Sequence, residues 1–307
     1  MKRTQDFQPH DVTRQDRADG AILLRSNVPL GPVARTTGAW LHRWADEASA
    51  RVFVAERSGA GWRSESYAAT LQKVQAIASA LLGRGMGAET PILILSGNGV
   101  DHALLSLAAQ YVGIPTVPVA EQYALIPAAH GRLRDAVEMV CPKMAYVVDA
   151  AQYDAALRLD IFEGIEIVAA APGTVATTAF DDLLAGDAGV DLPAAHAAVT
   201  PETVAKILMT SGTTSAPKGV LTTHKMMCVN QTQLAGALPF LRDRPPRIVD
   251  WLPWNHVFGG AHNVNMMLAN GGSLYIDGGK PAPGLFDQTL ENLKLMTGTL
   301  CFNVPVG

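Results

Sequence analysis

Between Met209 and Val220 the chain reads Met-Thr-Ser-Gly-Thr-Thr-Ser-Ala-Pro-Lys-Gly-Val. An apolar stretch leads in, and Gly219–Thr223 has the pattern of a second strand leaving. Thr210, Ser211, Thr213, Thr214 and Ser215 bring hydroxyls, Gly212 brings a backbone free of Cβ, and Lys218 brings a positive charge. Polyphosphate binding uses this mixture. Small residues let backbone N–H groups approach the oxygens, hydroxyls donate to them and help hold a magnesium ion, and an ammonium is a compact counter-charge. The order differs from a P-loop, in which Gly-Lys is followed by Ser or Thr at the start of a helix. Here Lys218 precedes Gly219 and a strand. A polar hairpin tip is the plainer use of such residues; the specific order across Met209–Val220 favours a phosphate loop.

A second constellation follows, Asp250-Trp-Leu-Pro-Trp-Asn-His-Val-Phe-Gly-Gly260. It sets one histidine, His256, beside Trp254 and Asn255 and ahead of Gly259-Gly260, so a polar ring stands among aromatic and small residues. A histidine satisfied inside a core, with Trp251 and Trp254 as ordinary core residues, is the competing use. His256 and His262 stand six positions apart with no Cys or carboxylate at ligand spacing, so no metal ligand is assigned. Asp277 and Lys280 fall in a Gly-rich turn and read as solvated. His224 reads as structural at a helix start, and Cys228 has no activating neighbour that would make it a nucleophile.

The Met209–Val220 stretch resembles the signature of the acyl-adenylate-forming (AMP-binding) enzymes, a family that includes acyl-CoA synthetases, peptide-synthetase adenylation domains and luciferases. Ser215 stands where that family usually has glycine; if the position requires positive φ, serine costs stability there. Within the family, Asp250–Gly260, His262-Asn263, Asn270–Pro281, Pro91–Leu107 and Gly113-Ile114-Pro115 resemble the feruloyl-CoA synthases. The likeness runs from about Asn27 to Gly307. It implies an ATP-dependent ligase that joins a carboxylic acid, ferulate or a related hydroxycinnamate, to AMP and then to coenzyme A, with Mg2+ accompanying ATP. Thr210, Ser211, Gly212, Thr213, Thr214 and Lys218 would hold the phosphates. Lys218 and His256 would be the catalytic pair, and Trp254, Asn255, His256 and Gly260 would border the acyl pocket. By the same resemblance the chain would be the N-terminal part of the large domain, stacked mostly parallel sheets flanked by helices, ending before the family's β-barrel part and mobile C-terminal domain. The alternatives are a non-catalytic remnant of such an enzyme and a synthetase for another aromatic or fatty acid.

The bulk properties are those of a chain with a large buried core. The chain has 307 residues, 48% hydrophobic and 17% charged, and a net charge of -4. A weakly acidic chain without a basic block is a poor nucleic-acid binder. Cys141, Cys228 and Cys301 are too few and too scattered for a disulfide framework or zinc knuckle, and are expected as reduced, mostly buried thiols. The start has no apolar stretch of signal-peptide type and no run approaches a membrane span, so the expected location is the cytoplasm.

The elements that must position the motifs alternate. Strands are expected near 51–55, 91–95, 116–119, 145–148, 165–168, 205–209, 247–252, 273–276 and 299–303. An apolar-periodic stretch covers 40–48, and helices are expected near 67–82, 101–111, 126–140, 225–238, 260–269 and 286–295. Leu71, Val74, Ile77, Ala78 and Leu81 share one helical face, and Pro91–Leu95 reads as a strand buried on both faces. Such alternation predicts an α/β fold with mostly parallel sheets. The first thirty residues read as a polar, irregular surface arm. The Ala- and Gly-rich stretch 171–201 reads as a loosely packed connector between an N-terminal α/β subdomain (1–200) and the start of a second (201–307).

Overall fold

The computed structural model describes residues 7–210, 218–280 and 283–304. In chain order its strands are β1 (Val12–Asp16), β2 (Ile22–Ser26), β3 (Val52–Ser58), β4 (Gly61–Ser66), β5 (Ile92–Ile94), β6 (Thr116–Pro118), β7 (Met144–Asp149), β8 (Glu166–Ala171), β9 (Thr178–Ala179), β10 (Val204–Met209), β11 (Gly219–Thr223), β12 (Arg247–Asp250) and β13 (Ser273–Ile276). One sheet has the order β11-β10-β6-β5-β7-β8-β9 and is parallel except for the β10–β11 pair. A second has the order β12-β13-β3-β4 and is parallel except for the β3–β4 hairpin.

The helices Tyr67–Gly83 and Val100–Tyr111 pack on each other, and Val100–Tyr111 touches strands of both sheets. Every residue of Val100–Tyr111 is buried. Its polar members are satisfied locally. Asp101 pairs with Arg63, His102 bonds the Gly97 carbonyl at 2.9 Å, and Gln110 accepts from the Thr37 hydroxyl at 3.1 Å. The strand β5 shows why its sequence is apolar at every position. Ile92 and Ile94 face the core between the sheets, while Leu93 and Leu95 face a second core on the far side. Alternation of side chains across a pleat sends neighbours to opposite faces, and here both faces are covered.

Several expectations are corrected. The N-terminal arm contains an antiparallel hairpin, β1 with β2, whose residues are all exposed. The stretch 171–201 is largely exposed, yet it carries short regular elements. It holds β9 and the helices Phe180–Leu183 and Leu192–Ala198, and Phe180, Leu183 and Val199 are buried. Its few large side chains suffice because they meet the helix Tyr67–Gly83. No sheet divides at residue 200: β10 and β11 complete the first sheet, and β12 and β13 sit beside β3. The expected helix near 126–140 is regular only over His130–Val140, after a helical turn at Gln122–Leu125 and a 3-10 turn at Pro127–Ala129. Thr299–Asn303 forms no strand. Thr299 bonds Arg247 through its N–H at 2.7 Å, but its hydroxyl, not a carbonyl, takes the Arg247 N–H at 2.8 Å, and the ladder goes no further. Of the cysteines only Cys228 is buried; Cys141 and Cys301 are exposed, and all three are free.

Candidate active site

The phosphate-loop candidate joins two antiparallel neighbours. Thr210 follows β10 and Lys218 precedes β11. The Thr210 N–H donates to the Lys218 carbonyl at 2.9 Å, and the Lys218 N–H donates to the Thr210 hydroxyl at 3.3 Å. The loop base is thereby closed, with the Lys218 side chain exposed. Ser211, Gly212, Thr213, Thr214 and Ser215 lie outside the described residues.

The second motif leaves the carboxyl end of β12 and turns at once. His256 N–H donates to the Pro253 carbonyl at 3.2 Å, and a π-helical segment, Val257–Asn263, runs into the helix Val264–Ala269. Two glycines make this turn possible. A Cβ on Gly259 would lie 2.5 Å from the carbonyl oxygens of Leu252 and Pro253, and one on Gly260 would lie 2.1 Å from that of Trp254. No side chain fits between backbones that close. The Gly260 N–H donates to the His256 carbonyl at 2.9 Å.

A cavity of ≈ 690 Å³ opens where the carboxyl ends of the two sheets face each other, the usual place for ligands in open α/β sheets. Trp254, Asn255 and His256 line it, as do Asn98, His102 and Glu121. His256 is exposed to the cavity region and Trp254 is buried, its ring edge-on to His102 with centroids 5.0 Å apart. Gly260 is not among the cavity-lining residues; its part is backbone, behind the turn. Burial lowers the His102 imidazole to about 4, so it is neutral at pH 7.

Asp277 also reaches this cavity, and the solvated state expected for it is overturned. It is buried and accepts from the Thr289 hydroxyl at 2.6 Å, the Asn292 amide at 2.7 Å and the Gly279 N–H at 2.9 Å. Lys280 is exposed at the rim, as expected. Three further features escaped the sequence. Asn98, after β5, holds the second motif through its side-chain amide. Arg63 joins Glu56 at 2.9 Å and Asp101, binding the β3–β4 hairpin to the start of the helix Val100–Tyr111. Lys206, on β10, is 5% exposed and donates from Nζ to the Gly260 carbonyl at 2.7 Å. A lysine between Ala205 and Ile207 in a buried strand was the one available signal, since unpaired lysines are seldom interior.

The remaining candidates keep structural places. His224 is fully buried, with Nδ1 3.3 Å from the Thr37 N–H, and burial lowers it to about 4. Burial pushes the Cys228 thiol up to about 12, which removes it as a nucleophile. His262 bonds Asn263 and sits edge-on to Phe258 and Phe302. Among the described residues, no group of three His, Cys, Asp or Glu side chains could hold a metal ion, and no helix is long and apolar enough to cross a membrane.

Solved structures share this fold. The fatty acyl-adenylate ligase from L. pneumophila, in complex with acyl adenylate and pyrophosphate, matches with a TM-score of 0.64 and 17% identity, over 85% of this chain and 42% of its own. McyG A-PCP, complexed with phenylalanyl-adenylate, matches with 0.68 and 19%, over 87% and 39%. A putative long-chain-fatty-acid CoA ligase from Rhodopseudomonas palustris matches with 0.63 and 18%, over 78% and 57%. This chain therefore spans between 39% and 57% of the length of those three proteins. At such identities the likeness shows the fold. The family model for AMP-binding enzymes matches residues 41–305, and the chain belongs to the AMP-binding enzyme family.

Proposed function

We propose that the protein activates a carboxylic acid with ATP, forming an acyl-adenylate and pyrophosphate, and that the acyl group then passes to the thiol of coenzyme A. The observation that carries this reading is the closed loop base, Thr210 against Lys218, at the end of a strand whose Lys206 touches the segment behind His256. The acid's carboxylate oxygen attacks the α-phosphorus of ATP and the bond to the β-phosphate oxygen breaks. The protein's work is alignment and charge stabilisation, with no covalent protein intermediate. Lys218 and the hydroxyls of Thr210, Ser211, Thr213 and Thr214 hold the departing phosphates. His256 orients the carboxylate beside Trp254 and Asn255.

Mg2+ would enter with ATP, and the hydroxyls of the phosphate loop would help to hold it, where it would offset phosphate charge. Ferulate or a related hydroxycinnamate is the favoured acid, on the likeness of the Asp250–Gly260 and Asn270–Pro281 stretches to feruloyl-CoA synthases. The neighbouring structures concern fatty acyl and amino acid substrates, so the acid must be tested directly.

The test is acid-dependent ATP–pyrophosphate exchange with ferulate, benzoate, a long-chain fatty acid and phenylalanine. Ferulate is expected to give the fastest exchange, and Lys218→Ala to slow it by about a hundredfold or more. Exchange that ignores the acid, or survives Lys218→Ala unchanged, would overturn the assignment.

A further inference from the structure

Lys206 is a lysine where a strand facing the core should carry an apolar side chain. It lies on β10, four residues before Thr210, and alternates with Ile207 and Met209, which face the opposite core. It is 5% exposed, and no ion pair involves it among the described residues. An ammonium without a counter-charge is expensive to bury, and burial lowers this one to about 8. A methionine would fill the same space at lower cost, so stability alone gives a poor account of the residue.

Its one side-chain hydrogen bond among the described residues shows what it does. Nζ donates to the Gly260 carbonyl at 2.7 Å. The N–H of the same Gly260 donates to the His256 carbonyl at 2.9 Å. Gly260 has no side chain and stands inside a π-helical segment, and its carbonyl accepts from a donor outside that segment. The strand from Lys206 to Thr210 is a stiff spacer of about 13 Å. It connects the loop base at one end to the His256 turn at the other.

We propose that Lys206 is a positioning residue that ties the His256 turn to the strand bearing the phosphate loop, fixing the distance between the acid and the nucleotide. The inference rests on the adenylation reading and adds the part that registers its two halves. Lys206 touches neither substrate. It acts through the Gly260 carbonyl, and misplacement by about 1 Å costs an alignment-dependent reaction as much as about a hundredfold.

The experiment compares Lys206→Met, which keeps length and loses the donor, with Lys206→Gln, which keeps a shorter donor, in the full chain. Two readouts are taken: kcat and KM for ATP–pyrophosphate exchange, and hydrogen–deuterium exchange of peptides covering 254–262. Lys206→Met is expected to lower kcat about tenfold to a hundredfold with KM for ATP changed less than about threefold. The amides of 254–262 should exchange at least about tenfold faster, while those of β5 and β7 stay as in the parent. Lys206→Gln should recover part of both effects. Wild-type kcat together with unchanged exchange over 254–262 in Lys206→Met would overturn the proposal. If Lys206→Met does not fold, Lys206→Leu, which also lacks the donor, is measured in the same two ways and the same outcomes decide. If the parent shows no acid-dependent exchange at all, the adenylation reading fails, while the amide-exchange readout still decides whether Lys206 holds the turn.

Discussion

Asn98 clamps the turn that carries Trp254: its Oδ1 accepts the Trp254 N–H at 2.9 Å, and its Nδ2 donates to the Leu252 carbonyl at 2.9 Å. One side chain on the loop after β5 thus replaces a missing strand partner for the loop after β12, and the two sheets are tied at the cavity wall. Asn98→Ala leaves both backbone groups unpaired beside buried residues, with an expected loss of about 2–4 kcal/mol in denaturant unfolding. Asn98→Asp keeps the acceptor and loses the donor, and should fall between the two. Parental stability in Asn98→Ala would show that the clamp contributes nothing.

The close approach of Gly260 to the Trp254 carbonyl yields a second test. Gly260→Ala forces a Cβ to within 2.1 Å of that oxygen, so the π-helical segment must shift. A loss of about 1–3 kcal/mol is expected. The control is Gly131→Ala, in the helix His130–Val140, where an added Cβ meets nothing within 4 Å. That change should be neutral or stabilise by up to about 1 kcal/mol. Equal effects at the two sites would contradict the packing described for Gly260.

Asp250 sets a pH dependence of stability. Burial raises its carboxyl to about 6, with the negative charge of Asp277 adding to the rise and the hydrogen bond from Asn263 opposing it. The folded state therefore holds this proton more tightly than the unfolded state, whose carboxyl sits near 3.8. The resulting stability is fully present below about pH 4 and is lost as pH rises through about 6. Asp250→Asn cannot lose a proton, so its stability relative to the parent should climb between pH 4 and 6 and level off above, by up to about 3 kcal/mol. The opposite contributions of His102 and His224, both lowered by burial, cancel in this difference. Unfolding curves at pH 4, 5, 6 and 7 measure it, and parallel profiles would refute the assignment.

The thiols should separate kinetically. Cys141 and Cys301 are exposed, whereas Cys228 is buried with its thiol pushed up to about 12. A disulfide reagent at pH 8 should label Cys141 and Cys301 quickly in the native protein and reach Cys228 only after denaturant is added. Rapid labelling of Cys228 would mean that the helix His224–Ala237 opens far more readily than its burial implies.

Local order determined much of this protein. The succession Met209–Val220 places a hydroxyl- and glycine-rich loop between two strands, and β10 and β11 flank it as the sequence indicates. The apolar run at Pro91–Leu95 marks a strand covered on both faces, and β5 is one. These are short-range signals, set by side-chain periodicity and backbone preference within a few residues.

The tertiary structure alone decided which groups meet. Lys206 finds its acceptor 54 positions away, and Asn98 reaches partners 154 and 156 positions away. Asp277 looked solvated in its Gly-rich turn until Thr289 and Asn292, from the helix Phe286–Leu295, closed over it. The stretch 171–201 looked loose because it has few large apolar residues, yet Phe180 and Leu183 find a ready surface on the helix Tyr67–Gly83. Burial and pairing of this kind depend on the closure of distant segments, and composition and periodicity carry no record of which carbonyl a buried ammonium will face.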